Sequence, residues 1–312
     1  MPSADVVDCP PDLARVPVLE AYPAREAALP GGLTVRRALP RAARRLVGPW
    51  CFLDQYGPLA FGVGKPMNIA PHPHIGLQTV TWLIEGEVLH KDSLGNERLI
   101  RPGQLNLMTA GSGISHAEET PPGNSGRLHG LQLWVALPDA RRHGPPGFDH
   151  YPELPAAAIG SMRAVVLMGE LGGVRSPARA YSRMVGAELA ASHDGDAELP
   201  LDPSFEHALM LIDGHAALGD HVLEPATLYY LGTGREALSL TARAGSRLVL
   251  LGGEPFGEHI QMWWNFVAHT PEEIAEARED WEQGSRRFGS VPAYVGARIP
   301  APPLSRGIQR SG

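Results

Sequence analysis

Glycine or proline interrupts this chain every few residues. Gly occurs 36 times and Pro 30 times, well above their ordinary combined share of roughly 12%. No Gly-X-Y period accompanies the excess, so a collagen-like fold is excluded. Long helices do not survive such spacing, because Pro removes an amide donor and Gly costs backbone entropy. Between the breaks lie short runs of Val, Leu, Ile, Thr and Trp. They include LQTVTWLI (77–84), EVLHKD (87–92), RLIRPG (98–103), LNLMTAG (105–111) and LHGLQLWVALP (128–138). This texture predicts an all-β protein built from sandwiches or barrels. DSLGNE (92–97) suits a hairpin turn, with Asp92 and Ser93 at its entry and Gly95-Asn96 at positive φ.

The chain divides into four parts. Residues 1–32 are rich in Pro and Ala and read as an irregular, loosely held arm. A first β-domain follows over 33–150. A polar, Pro-rich bridge at 139–163 marks the boundary, and strands resume at AVVLMGEL (164–171) in a second β-domain over 151–285. The two halves rhyme: IEGEVLHKDSLGNERLIRPGQLNLMTAG and IDGHAALGDHVLEPATLYYLGTG share an Ile-acidic-Gly start, a hairpin, a Pro and a strand ending in Gly. The rhyme suggests a duplicated domain. One short helix is expected near the C-terminus, with Thr270 as N-cap, Pro271 at N1, Glu273 closing a capping box and Gly284 as the stop. Ile274, Ala277 and Trp281 share its apolar face. Residues 286–312 read as a wrapping or frayed tail.

Composition narrows the function classes. The net charge is −7 and the pI about 6.0. No basic stripe is present, which argues against a nucleic-acid partner. The start MPSADVVDCP lacks a basic and an apolar region of the secretory kind, and apolar runs such as AVVLM (164–168) are far too short to span a membrane. Two cysteines, Cys9 and Cys51, make no disulfide framework. A soluble, cytoplasmic protein is the expectation. No GxSxG, Walker A or GxGxxG motif stands where its chemistry would need it.

The informative stretch is His72-Pro73-His74, followed 42 residues after His74 by His116-Ala117-Glu118. Residues i and i+2 of a strand point the same way, so each pair shares a face. Two such strands meeting inside a barrel would gather three imidazoles and one carboxylate. That set suits a divalent transition metal, with Fe, Ni, Cu, Mn and Zn all compatible. Pro71 and Pro73 stiffen the first pair, and Gly111 and Gly113 let the backbone bend toward a centre. Solvated or hydrogen-bonded histidines are the plainer reading of an isolated His-x-His.

GPWCFLDQYGP (48–58), the whole of 72–119, GLQLWVALP (130–138) and GGEPFGEHI (252–260) resemble the pirin family. The resemblance covers roughly residues 33–285. It implies a bicupin, with two cupin-type β-barrel domains and a metal in the N-terminal one only. The family's ligand motif falls on His72, His74, His116 and Glu118. One divalent transition metal is implied, iron first. Some pirins resemble quercetin 2,3-dioxygenases. That likeness implies a flavonol or related phenolic substrate with dioxygen, and Glu118 as general base and sole anionic ligand. Phe52 or Trp82 could stack on the substrate. The alternative is a non-catalytic, metal- or redox-dependent regulator of a transcription factor or metabolic enzyme.

Two positions depart from the family pattern. Ile75 stands where Arg often follows the His-Pro-His, which removes a cation near the pocket rim. Gln78 stands where cupins often carry Glu. If the strand alternates unbroken, Gln78, Val80 and Trp82 share the face of His72 and His74. Gln78 is then either an orienting partner for a ligand or a group satisfied within the barrel. His207, His215 and His221 form no comparable pair, so the second domain is expected to hold no metal. His129, His143 and His150 read as ordinary surface or loop histidines. Met262-Trp263-Trp264 reads as packing between domains or beneath the helix, and Cys51 as an inert core thiol.

Overall fold

The computed structural model describes residues 6–9, 16–29 and 32–304. Two β-barrels built to one plan make up the chain, each a large sheet curled against a four-stranded one. In the first, the large sheet runs Gly147–Tyr151, Leu105–Thr109, Leu77–Gly86, Arg127–Ala136, Trp50–Ala60, Thr34–Leu39, Arg25–Ala28. The small sheet runs Asn68–His74, Ile114–Glu119, Val88–Asp92, Glu97–Ile100. In the second, the small sheet runs Gly195–Pro200, Ala237–Ala242, Ala216–Leu218, His221–Val222. The matching order of the two small sheets is the duplication that the sequence rhyme pointed to. Only Gly95 of the expected turn pair has positive φ. Asp92 Oδ1 closes that turn by accepting from the amides of Leu94 and Asn96 at 2.9 and 3.0 Å.

The barrels pack large sheet to large sheet. Val80, Trp82, Leu107, Leu131 and Leu133 of the first meet Val165, Leu167, Met210, Val249 and Leu251 of the second in one buried cluster. Water is excluded there from both sheets, so the domains share a core rather than merely touch.

The N-terminal segment differs from expectation. Pro17–Pro23 pairs with Thr227–Gly232 of the second barrel, and Arg25–Ala28 pairs with Thr34–Leu39 of the first. Each barrel offers a free sheet edge, and PVLEAYP alternates well enough to pair with one. Its prolines sit at the two ends of an edge strand, where a missing N–H costs little.

The C-terminal helix spans Pro271–Gln283. Thr270 Oγ1 accepts from Glu273 N at 3.3 Å, and Gly284 closes the helix at φ 67°. Ile274, Ala277 and Trp281 are buried, as the pattern required. They pack with Ile75, Trp263, Trp264 and Phe266, and Val267 N donates to Ile75 O at 3.1 Å. The chain therefore leaves the second barrel near residue 254 and returns to cover the first. The tail wraps as well, with Trp281 Nε1 on Ile299 O at 2.8 Å and Ile299 N on Pro71 O at 2.8 Å. No helix among the described residues is long and apolar enough to cross a membrane.

Candidate metal centre

Asn68–His74 is the edge strand of the small sheet, which is why Pro71 and Pro73 are tolerated in it. It pairs antiparallel with Ile114–Glu119, bringing His72 opposite His116. The register slips between His116 and Glu118, so that Glu118 faces Ile69. That bulge lets the strand curve around the centre.

His72, His74 and His116 each offer one nitrogen within 4.8 Å of those of the other two, and all three side chains are buried. Their outer nitrogens are occupied. His72 Nδ1 donates to Ala70 O at 2.9 Å, and His74 Nδ1 to Asn265 O at 3.1 Å. Their Nε2 lone pairs are thereby turned into the cavity. His74 Nε2 and His116 Nε2 approach to 3.1 Å. Two nitrogens 2.1 Å from one ion at a right angle would lie about 3.0 Å apart. Burial drives the His72 pKa down to about 4 and those of His74 and His116 well below their ordinary value, aided for both by the neighbouring imidazole of His72. Three neutral rings with lone pairs converging in a water-poor pocket are a donor set that fits a transition-metal cation.

Glu118 lines the same cavity, outside the tight nitrogen cluster. Burial pushes its carboxyl up to about 7, against a hydrogen bond from Thr81 that lowers it. Phe52 lines the cavity too, stacked on Trp134 at 4.1 Å, and His74 meets Trp134 edge-on at 5.2 Å. The cavity volume is about 50 Å³. That is room for an ion with one or two water-sized ligands. A larger open groove of about 790 Å³ lies over residues 169–173 and 182–184 of the second domain, but no histidine lines it. Its Arg183 is engaged by Asp202 and Glu254.

Gln78 and Trp82 do not line the cavity. Gln78 Nε2 donates to Thr109 Oγ1 at 3.0 Å and to Arg179 O of the second domain at 3.1 Å. Trp82 is buried in the interdomain cluster with Val80. The alternation is not continuous: the chain breaks at Gly76, whose φ is 68°. A Cβ there would sit 2.1 Å from Val267 O. After the break the odd-numbered residues face inward, among them Leu77, Thr81 and Leu83. Ile75 is likewise not at the pocket rim but in the apolar cluster under the C-terminal helix, where a charge would have no partner.

Several groups around the centre were not anticipated. Arg37 and Asp54 form a buried two-point ion pair at the cavity wall, at 2.8 and 2.7 Å, with the Arg37 guanidinium 4.6 Å from the Phe52 ring centre. Tyr56, Gln132 and Asn265 also line it. His90 Nδ1 stands 3.4 Å behind His116 Nδ1, and His90 Nε2 lies 3.1 Å from Asp92 Oδ2. The signal for the last pair was present: His90-x-Asp92 has the same i, i+2 spacing as His116-x-Glu118, on the strand paired with it.

In the second barrel the equivalent strands, Gly195–Pro200 and Ala237–Ala242, bury Ala197, Leu199, Leu238 and Leu240. Aliphatic chains fill the space that imidazoles line in the first. His129 is buried rather than superficial, 3.0 Å from Gln55 Nε2. His150 Nδ1 meets Asn106 Oδ1 at 2.7 Å.

Two family profiles match the chain: Pirin over residues 32–135 and the Pirin C-terminal cupin domain over residues 186–289. The chain belongs to the pirin family. A Pseudomonas aeruginosa pirin relative, named "Putative quercetin 2,3-dioxygenase PA1205", is 47% identical, over 95% of this chain and 93% of its own. A pirin-like protein of Caulobacter vibrioides is 37% identical, over 87% of this chain and 95% of its own. A crystal structure titled as quercetin 2,3-dioxygenase from Acinetobacter baumannii superposes with a TM-score of 0.89 at 45% identity, over 92% of this pirin and 96% of that chain.

Proposed function

We propose that the chain is a metal-dependent dioxygenase that opens a flavonol such as quercetin or a related phenolic. The observation that carries this reading is the convergence of three buried imidazoles on one point of a cavity that Glu118 and Phe52 also line. Relatives named for quercetin 2,3-dioxygenation support it. His72, His74, His116 and Glu118 would hold the ion. When bound, a divalent ion, iron foremost and nickel, copper, manganese or zinc as alternatives, supplies Lewis acidity that acidifies a phenolic hydroxyl.

Glu118 takes the hydroxyl proton: the substrate O–H bond breaks and the carboxylate becomes a carboxyl. A buried carboxylate that lines the cavity beside the three imidazoles stands where it can accept and return that proton. Phe52 contributes apolar wall, its ring held between Trp134 and Arg37, and the paired Arg37 and Asp54 keep water-seeking charges satisfied within the wall. At about 50 Å³ the cavity admits the chelating edge of a phenol, while ligand pockets for whole drug-sized molecules start near 300 Å³. A flavonol therefore enters with outward movement of Leu29, Met67 and Phe52, which wall the site. Purified metal-loaded protein incubated with quercetin should consume oxygen as the flavonol absorbance falls. Turnover no greater than that of a His74→Ala control would reject the reading.

The same small volume favours a second reading. A redox metal in so small a site suits a regulator that binds a transcription factor or metabolic enzyme in one oxidation state. Absence of turnover on phenolics, together with capture of one specific protein from extract in only one oxidation state, would support it. Equal or no capture in both states would sink it.

A further inference from the structure

The three imidazoles differ in what stands behind them. Behind His72 and His74 are main-chain carbonyls, which are neutral and only accept. Behind His116 is another imidazole, and behind that a carboxylate. Two ring nitrogens can hydrogen-bond only if one of them carries the proton. Asp92 accepts, so His90 donates through Nε2. His90 Nδ1 is then an acceptor, and His116 donates to it through Nδ1. The His116 Nε2 lone pair is left for the cavity.

Both relay groups are held in place. The His90 ring stacks on Phe148, with centres 4.4 Å apart and planes 14° apart. Asp92 accepts from the Leu94 and Asn96 amides and from the Asn96 side chain at 2.9–3.1 Å. Its only ion-pair partner among the described residues is His90. A fixed, buried negative charge thus backs one ligand of the three, in surroundings that screen it weakly.

We propose that Asp92, acting through His90, is a positioning residue that fixes the His116 tautomer, strengthens metal binding and stabilises the oxidised state of the bound ion. This rests on the reading of His116 as a metal ligand. Partners behind metal-bound histidines commonly account for 10–100-fold in affinity.

Two variants test it. Asp92→Asn removes the charge and keeps an acceptor for the turn; His90→Phe breaks the relay and keeps the stacking on Phe148. Competition with a chromophoric chelator should show at least tenfold weaker zinc binding in both. In iron-loaded protein the midpoint potential should rise, by roughly 59 mV for each tenfold by which ferric affinity falls more than ferrous affinity. A merely structural role would lower the melting temperature and leave affinity and potential unmoved, and that result overturns the proposal. Nitrogen NMR of the zinc-loaded wild type covers the case in which the variants fail to fold. Protons on His116 Nδ1 and His90 Nε2 are expected; a proton on His90 Nδ1 overturns the relay. Neither readout needs turnover. Zinc binding with these tautomers but no quercetin consumption sinks the dioxygenase alone, and turnover with the opposite tautomers sinks the relay alone.

Discussion

The indole nitrogen of Trp50 in the first barrel donates to Val185 O of the second at 3.0 Å and shares its proton with Gly252 O at 3.2 Å. Gly186 makes room for it: a Cβ there would sit 2.6 Å from the Trp50 ring. Trp50→Phe keeps the apolar body and removes the donor. The expected loss is about 1–2 kcal/mol of stability, read as a lower urea midpoint. A midpoint equal to wild type would show that the bond contributes nothing to holding the barrels together.

Ligand removal separates the two domains. His116→Ala should abolish most metal retention after dialysis, measured by elemental analysis. His221→Ala, on the exposed edge of the second barrel, should retain the wild-type amount. Equal metal in both variants would refute the ligand assignment.

Gln78→Glu restores the residue type often found at this place in cupins, yet it should not raise metal affinity. Its side chain faces Arg179 O and Thr109, away from the histidines. A carboxylate there would meet a carbonyl without a paired cation, at a cost on the order of 2–4 kcal/mol. Thermal unfolding and a zinc titration together decide it. Tighter zinc binding at unchanged melting temperature would contradict the orientation described.

Acid should weaken the fold through His207. This side chain is buried, its Nδ1 has no partner, and burial lowers its pKa from 6.5 to about 4. Between those values the unfolded chain binds the proton and the folded chain does not. Stability is therefore complete above pH 6.5 and lost as pH falls toward 4. From pH 7 to pH 5 the His207 contribution is roughly 2 kcal/mol. Urea midpoints of wild type and His207→Gln at both pH values should show a shallower acid loss in the variant. Identical slopes would mean that His207 stays neutral in both states or is protonated in both.

What could be read from the sequence was local. His72 and His74 share a face because they alternate within one strand, and His116 and Glu118 likewise lie two apart in one strand, although its pairing slips between them. The capping residues of the C-terminal helix act within one turn, so that helix was legible to its ends. The inference failed where it crossed Gly76, since one residue at positive φ reverses the parity of every side chain beyond it and carries Gln78 and Trp82 to the other face. Ile75 made sense only once residues 263–288 were seen to return over it. Asn265 had no signal at all: it reaches His74 from 191 positions away, through a main-chain oxygen that any residue type could supply.

The segment Pro17–Pro23 leaves the ribosome before its hydrogen-bonding partner, Thr227–Gly232, which emerges some two hundred residues later. Asn265, which steadies His74, comes later still. Neither barrel can be finished in the order of translation, so the strand Pro17–Pro23 and the histidine pocket both wait for segments far downstream before they take final form.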